Sequence, residues 1–518
     1  MIEQQLTVEI RRTGIWLYPY EISTYSRKLK KVFGTCPDLD RTVSIYNFKT
    51  HRYYIPLDIY DDKLKIMKIP RGYGIDKIES ILDKNRLRYQ IKDNSSVYIR
   101  PRRDLRIKMS EKYKPRDKWQ EQSISFLLNE SSNIERLPQK LLTLDTGFGK
   151  TYCAINYISQ ADRPALIISS NLSEQWADDI LEYTNVNPNE ICFIKGADSI
   201  KKVMKKKNHR ECFYLASTRT LISVMKSYGV EILDEFINLT GIGIKIFDEI
   251  HSQISANMFI DVNSSVESTV YLTATPGRSK KEENEIFQRL FRKIDAFGYQ
   301  THFIKTYYNI RLIDYDTRAN QYHNASCMTS NGFSGFKYYE YIFGSNSRKF
   351  YIFSMMKIFA DKILSSDKDA KILIFLPGLE HIETFINLFE KTGTDCVGNY
   401  TSAVSDKDDK KEELRANIIF TTLGSGSTGL DLSNLRAVFL FSPFSSHILS
   451  RQVLGRLRYI PGKSVYLYDF IDRSFPHMAF QREKRMSVFG PRANKIETMF
   501  CSFNDVRQEM NDRYKIEI

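Results

Sequence analysis

Cysteine is scarce in this 518-residue chain and poorly placed for chemistry. The seven residues fall at positions 36, 153, 192, 212, 327, 396 and 501, an odd number with no two closer than twenty positions. Neither a disulfide scaffold nor a CxxC zinc site is supported. No apolar run reaches the length that crosses a bilayer, and the opening MIEQQLTVEIRRTG lacks the apolar core of a secretory signal. The expectation is a soluble protein of a reducing compartment with no membrane partner. No whole-domain repeat is evident, and roughly the first hundred residues hold no clustered nucleophile, base or ligand set.

Positive charge is what the chain has in excess. Lys plus Arg number 76 against 62 Asp plus Glu, a net +14, which suits a polyanionic partner without requiring one. Aromatics are abundant, with 32 Phe, 31 Tyr and 3 Trp, and such rings fill cores or stack on bases. The length implies about three or four domain-sized units.

Patterning divides the chain. Residues 1–99 alternate β-like segments (TVSIYNFKT, YYIPLDIY, KLKIMKIP, SVYIR) with one helical run, DKIESILDKNRL, and read as a small α+β domain. Residues 100–119 are strongly basic. They read either as a solvated linker or as a phosphate-contacting arm carrying Arg102, Arg103, Arg106 and Lys108. Residues 120–300 and 350–480 are two α/β units whose strands are near-continuous apolar runs, as parallel strands buried on both faces require. Residues 301–349 look irregular, an insertion or long loop, and 481–518 form a tail with a terminal helix.

Two short motifs carry chemistry. In LLTLDTGFGKTYCAINYIS a glycine-rich turn separates an apolar strand from a helix. Gly147 and Gly149 let backbone amides surround a phosphate, Lys150 reaches its oxygens, and the Thr151 hydroxyl suits Mg2+. Leu144 stands where the strict form of this motif has its first glycine, so GFGKT alone carries the reading, and an unrelated glycine turn is the alternative. IKIFDEIH then delivers Asp248 as a holder of Mg2+ and Glu249 to polarise an attacking water. An isolated acidic pair merely solvates a strand end; an upstream GFGKT makes the catalytic reading stronger.

The ordered series KWQEQSI, GFGKT, LIISSNLSEQW, DEIH, TAT, ILIFLP, TTLGSGSTGLD and QVLGR resembles the superfamily 2 helicases and translocases over about residues 112–480. Its layout is similar to phage recombination and poxviral transcript-release helicases. The resemblance implies two tandem RecA-like parallel-sheet lobes after the small α+β domain, ATP and Mg2+ as cofactors, and nucleic-acid-stimulated hydrolysis. It puts Gln120 near adenine, Gly429 and Asp431 near the nucleotide, and Gln452 and Arg456 facing the nucleotide from the second lobe. The second motif arginine of these families corresponds to Tyr459, and Arg458 stands one residue early, so Arg456 is the better candidate. Ser170, Asn171, Ser217, Thr218 and Thr422 become candidates for backbone phosphates of the track. DNA is the expected partner and RNA the alternative, alongside recombination, replication or transcription proteins. A nucleotide-gated scaffold with weak hydrolysis is the reading from another class. The resemblance further implies the cytoplasm or a host cell's cytoplasm, with virion association open, and a nucleotide site complete within one chain.

Overall fold

The computed structural model describes residues 5–18, 45–47, 52–54, 59–61, 66–84, 86–96, 105–130, 135, 137–144, 148–170, 174–274, 281–298, 308–330, 332–394, 396–404, 409, 412–426, 432–460 and 462–514. It divides into two compact units, 1–299 and 300–518.

The first unit opens with a five-stranded sheet in the order Ile59–Asp61, Ile66–Pro70, Gly14–Tyr18, Leu6–Ile10, Tyr89–Asp93. The first four pair antiparallel, and Tyr89–Asp93 joins Leu6–Ile10 in parallel. The hairpin Leu6–Ile10/Gly14–Tyr18 is absent from the sequence reading, which began its strands later; its short runs are bounded by Arg11 and Arg12 rather than by turn signals. The helix Ile75–Lys84 buries Ile78, Ile81 and Leu82, an i, i+3, i+4 stripe.

Seven parallel strands follow, in the order Ile191–Ile194, Phe213–Ser217, Ala165–Ser169, Ile244–Phe247, Ser268–Thr273, Gln139–Thr143, Asp295–Gly298. The small sheet is fused to this layer. Leu6, Val8, Ile15, Leu17, Met67 and Ile69 share one apolar core with Leu141, Leu166, Phe287, Leu290 and Ile294. Polar ties cross the same seam: Arg12 donates to Glu267 O at 2.7 Å and Val266 O at 2.9 Å, and the Arg292 guanidinium donates to Tyr73 O at 3.0 Å. At Gly72 a Cβ would lie 2.2 Å from Leu290 O, so the backbones approach too closely for any side chain.

The second unit repeats the architecture. Its sheet runs Val397–Tyr400, Ile418–Thr422, Lys371–Leu376, Leu435–Leu440, Val465–Asp472, Tyr308–Tyr315, Ala493–Phe500, again all parallel. Counted from each sheet's own first strand, both follow one order: third, fourth, second, fifth, sixth, first, seventh. The fold is thus a small α+β domain followed by two RecA-like parallel-sheet lobes.

The stretch 301–349 departs from its irregular reading. Tyr308–Tyr315 is an interior strand, and helices Gly335–Phe343 and Asn346–Ser366 follow it. YNIRLIDY hides this role because it carries charge into a sheet interior, where Asp314 is met by Arg482 and Arg473, and Arg311 by the Tyr468 hydroxyl at 3.2 Å. The tail belongs to the same sheet: Ala493–Phe500 is its edge strand, and the helix Phe503–Tyr514 buries Val506 and Met510.

Candidate functional site

Helix Lys150–Ala161 begins at Gly149, whose φ of +83° and ψ of +37° are left-handed, and no side chain caps it. A Cβ there would also displace the Gln120 amide, whose Nε2 lies 2.4 Å from its position, but it is the left-handed backbone that calls for glycine. An uncapped helix start after a buried strand presents N–H groups and the positive end of the helix dipole to an anion. Lys150, with 10% of its side chain exposed, donates to Leu144 O at 3.0 Å, and its Nζ lies 3.7 Å from Glu249 Oε1. Thr151 follows, half-buried.

The acidic pair sits at the end of strand Ile244–Phe247. Lys245, fully buried within that strand, anchors it through Asp261 at 2.7 Å and Ser264 O at 2.6 Å. Removing one partner of such a buried pair costs about 3–5 kcal/mol. Asp248 N continues the sheet by donating to Ile168 O at 2.8 Å, and its Oδ2 accepts the Trp176 indole N–H at 2.9 Å. Desolvation, and then the charge of Glu249, push the Asp248 carboxyl up to about 6; the Trp176 bond and Lys150 pull the other way. Glu249 holds φ +50° and ψ +51°, a left-handed conformation that costs a non-glycine residue about 1–3 kcal/mol. That turn aims its carboxylate between Lys150 and His251, whose Nδ1 is 3.1 Å from Glu249 Oε2 and 2.8 Å from Thr273 Oγ1. His251 thereby links the acidic pair to the end of the neighbouring strand.

This donor set fits a magnesium-bound nucleotide. The charge of Glu249 adds to the desolvation that raises the Asp248 carboxyl, and a divalent cation would relieve that repulsion. Thr151 and Asp248 are the residues that would hold it. Trp176 is the residue sequence reasoning overlooked: it shares the buried stripe of helix Glu174–Tyr183 with Ala177 and Ile180 and so reads as core. The available signal was its indole N–H, which needs an acceptor when buried.

Other sequence candidates scatter. Gln120 has both ends of its amide engaged, accepting from Arg116 N at 2.7 Å and donating to Phe148 O at 3.1 Å, so it ties the helix start to the glycine turn. Ser170 is half-buried, and Ser217 caps helix Thr218–Tyr228 by accepting from Thr220 N at 3.1 Å. Thr218 is a correction: it is 1% exposed and its hydroxyl is held by Asn257 at 2.8 Å, so it does not face a track. Arg106 and Lys108 are exposed on either side of the buried Ile107, and the backbone of Lys108 is pinned to Asn185 at 2.8 Å. This part of the basic segment is packed onto the first sheet unit rather than free. Gly147, Asn171, Gly429, Asp431, Arg102 and Arg103 lie outside the described residues.

In the second unit, helix His447–Leu454 carries Gln452, half-buried, and ends just before Arg456, also half-buried near the Tyr400 hydroxyl. Arg458 and Tyr459 are exposed, the latter at 67%. Thr422 is half-buried at a strand end, its hydroxyl 3.3 Å from Ser425 Oγ.

A protein-family profile described as the res subunit of type III restriction enzymes matches residues 112–278, the stretch holding both motifs. Dbp5 of S. cerevisiae, solved bound to RNA and ADP BeF3, superposes with a TM-score of 0.51 at 13% identity, covering 77% of this chain and 92% of its own. The chain shares with Dbp5 the fold of two RecA-like parallel-sheet lobes. Other solved structures with a likeness to the chain include T4 UvsW, at 16% identity over 96% of this chain and 100% of that one with a TM-score of 0.34. An HsdR subunit fragment from Vibrio vulnificus YJ016 is 16% identical, covering 75% and 69%, with a TM-score of 0.49. No curated protein sequence matches the chain. Among the described residues no helix is long and apolar enough to cross a membrane.

Proposed function

We propose that the chain is an ATP-hydrolysing nucleic-acid motor, a DNA helicase or duplex translocase acting on branched, annealed or transcription-associated DNA. The observation that carries this reading is the convergence of Lys150, Asp248 and Glu249 beyond the carboxyl ends of Gln139–Thr143 and Ile244–Phe247, the two strands that flank Ser268–Thr273, beside an uncapped helix start. Lys150 binds the terminal phosphates of ATP, and the backbone amides after Gly149 orient them. Glu249 polarises the attacking water, with His251 fixing its carboxylate. Bound Mg2+ supplies charge neutralisation on the phosphate oxygens. Asp248, steered by Trp176, and Thr151 hold that ion. Gln452 and Arg456 are the nucleotide-facing residues of the second unit, while Ser170, Ser217, Thr422, Arg106 and Lys108 contact the track. The likeness to Dbp5, described as bound to RNA, keeps RNA as the second substrate reading.

Lys150→Ala and Glu249→Gln separate the roles. The first weakens nucleotide binding; the second leaves binding near normal and lowers turnover by about 10²- to 10⁴-fold. Nucleotide titration beside phosphate release, without polymer and with single-stranded, double-stranded and branched DNA and RNA, tests both roles and substrate. Near-normal turnover by both folded variants refutes the site.

A further inference from the structure

Helix Lys118–Leu128 packs against the segment that carries the phosphate-binding residues: strand Gln139–Thr143, the glycine turn and helix Lys150–Ala161. Its Ile124 and Leu127 share an apolar core with Leu142, Leu144, Ile155 and Ile158. Apolar contact alone lets a helix slide along its axis; directional bonds at its ends do not. At the near end Asp117 caps the first turn, accepting from Trp119 N at 3.1 Å and Gln120 N at 3.0 Å. Within that turn of helix, Gln120 donates to Phe148 O at 3.1 Å, and the Cys153 thiol points at Gln120 O, 3.9 Å away.

The far end has no glycine to close it. Leu128 is followed by Asn129 in an extended conformation, φ −67° and ψ 151°. The last carbonyls of a helix lack partners within it and carry the negative end of its dipole. Lys140 meets them: its Nζ donates to Phe126 O at 3.0 Å, to Leu127 O at 2.8 Å and to Asn129 O, and the residue is 6% exposed. Lys140 belongs to strand Gln139–Thr143 itself, in register with Val270 on one side and Asp295 on the other. Burial pulls its pKa down to about 8 while Asp295 pulls the other way, so the ammonium is charged at neutral pH. An apolar side chain would fill this position without the cost of burying a charge. What the ammonium adds is a fixed point on the helix axis, tied to the same strand that runs into the glycine turn.

We infer that Lys140 is a positioning residue for the phosphate-binding turn: by fixing helix Lys118–Leu128 along its axis, it holds Gln120 where the amide supports Phe148 O and so sets the backbone that a phosphate chain meets. The inference rests on the nucleotide reading above and adds to it a residue outside the phosphate and metal contacts. In the full-length chain, Lys140→Met, Gln120→Ala and the double variant are titrated with ADP and with inorganic tripolyphosphate, both in Mg2+, and ATP turnover is resolved into KM and kcat. Lys140→Gln, a smaller lesion, carries the same measurements where Lys140→Met does not fold. Loss of the support at Phe148 weakens binding by about two- to tenfold. Expected are that loss for Lys140→Met on both probes, a raised KM with kcat near wild type, and a double variant no weaker than Gln120→Ala alone, because the two residues act through one contact. Wild-type affinity in the folded Lys140 variants, or losses that multiply in the double variant, overturn the positioning role. A loss on ADP without one on tripolyphosphate overturns it too, since the turn serves the phosphates and not the base. Failure of the wild-type chain to bind either probe overturns the nucleotide reading and this inference together.

Discussion

Replacing Asp248 by Asn should abolish turnover and yet stabilise the metal-free protein at neutral pH. The carboxyl titrates at about 6 instead of near 3.8, first because it is desolvated and then because Glu249 adjoins it. A raised carboxyl pKa means the folded state binds the proton more tightly than the unfolded one. This stabilising contribution is therefore full below about pH 4 and declines as pH rises through 6. A shift of roughly two units corresponds to about 3 kcal/mol. Asp248 is half-buried rather than sealed, so solvent screening reduces that to ~1–3 kcal/mol. Asn keeps an oxygen for the Trp176 N–H and removes the repulsion with Glu249, so the variant gains a few degrees in unfolding midpoint at pH 7. The assay is thermal unfolding in chelator at pH 5 and pH 7, repeated with Mg2+. At pH 5 the gap between the two proteins should narrow to about half its size at pH 7, and Mg2+ should raise the wild type but not the variant. A variant no more stable than wild type at pH 7, or a gap independent of pH, refutes the reasoning.

Three further outcomes are expected. Trp176→Phe removes the N–H that holds the Asp248 carboxyl down, a charged hydrogen bond worth about 1.5–3 kcal/mol, so the stability difference between pH 5 and pH 7 should widen in the same chelator assay. Arg456→Ala should lose more polymer-stimulated hydrolysis than Arg458→Ala, since Arg456 is half-buried and Arg458 lies in solvent; steady-state phosphate release with and without DNA decides it. Asp367 is held down to about 2 by Lys463, Arg436 and Asn434. Its contribution is present above about pH 4 and lost as pH falls through 2, so Arg436→Met should move acid unfolding, followed by circular dichroism, to higher pH.

The two parallel-sheet lobes were legible because their strands are buried on both faces and advertise it as unbroken apolar runs such as KILIFL and RAVFLF. GFGKT and DEIH stand out because their residue types and spacing are those that phosphate and metal chemistry demands. What stayed hidden depends on partners distant in the chain. Tyr308–Tyr315 reads as irregular until Arg482, far along the sequence, is seen to meet Asp314. Thr218 has the right residue type for a phosphate contact, and only the packing of Asn257 against it reveals that its hydroxyl is engaged. Gln120 likewise gives no sign in sequence that its amide bridges two backbone segments.

The core shared by the amino-terminal sheet and the first lobe bears on how this protein can be taken apart. Cutting near residue 100 would strip cover from Leu141, Leu290 and Ile294 and leave the carbonyls of Val266 and Glu267 without Arg12. The amino-terminal sheet is therefore not an exchangeable cassette. A graft from another protein would need to bring a matching apolar strip and a glycine at the Gly72 crossing, or sequence drift on both sides of the seam would have to proceed in step. The amino-terminal sheet is part of the first lobe's own compact body, so a displacement of that lobe carries the sheet with it.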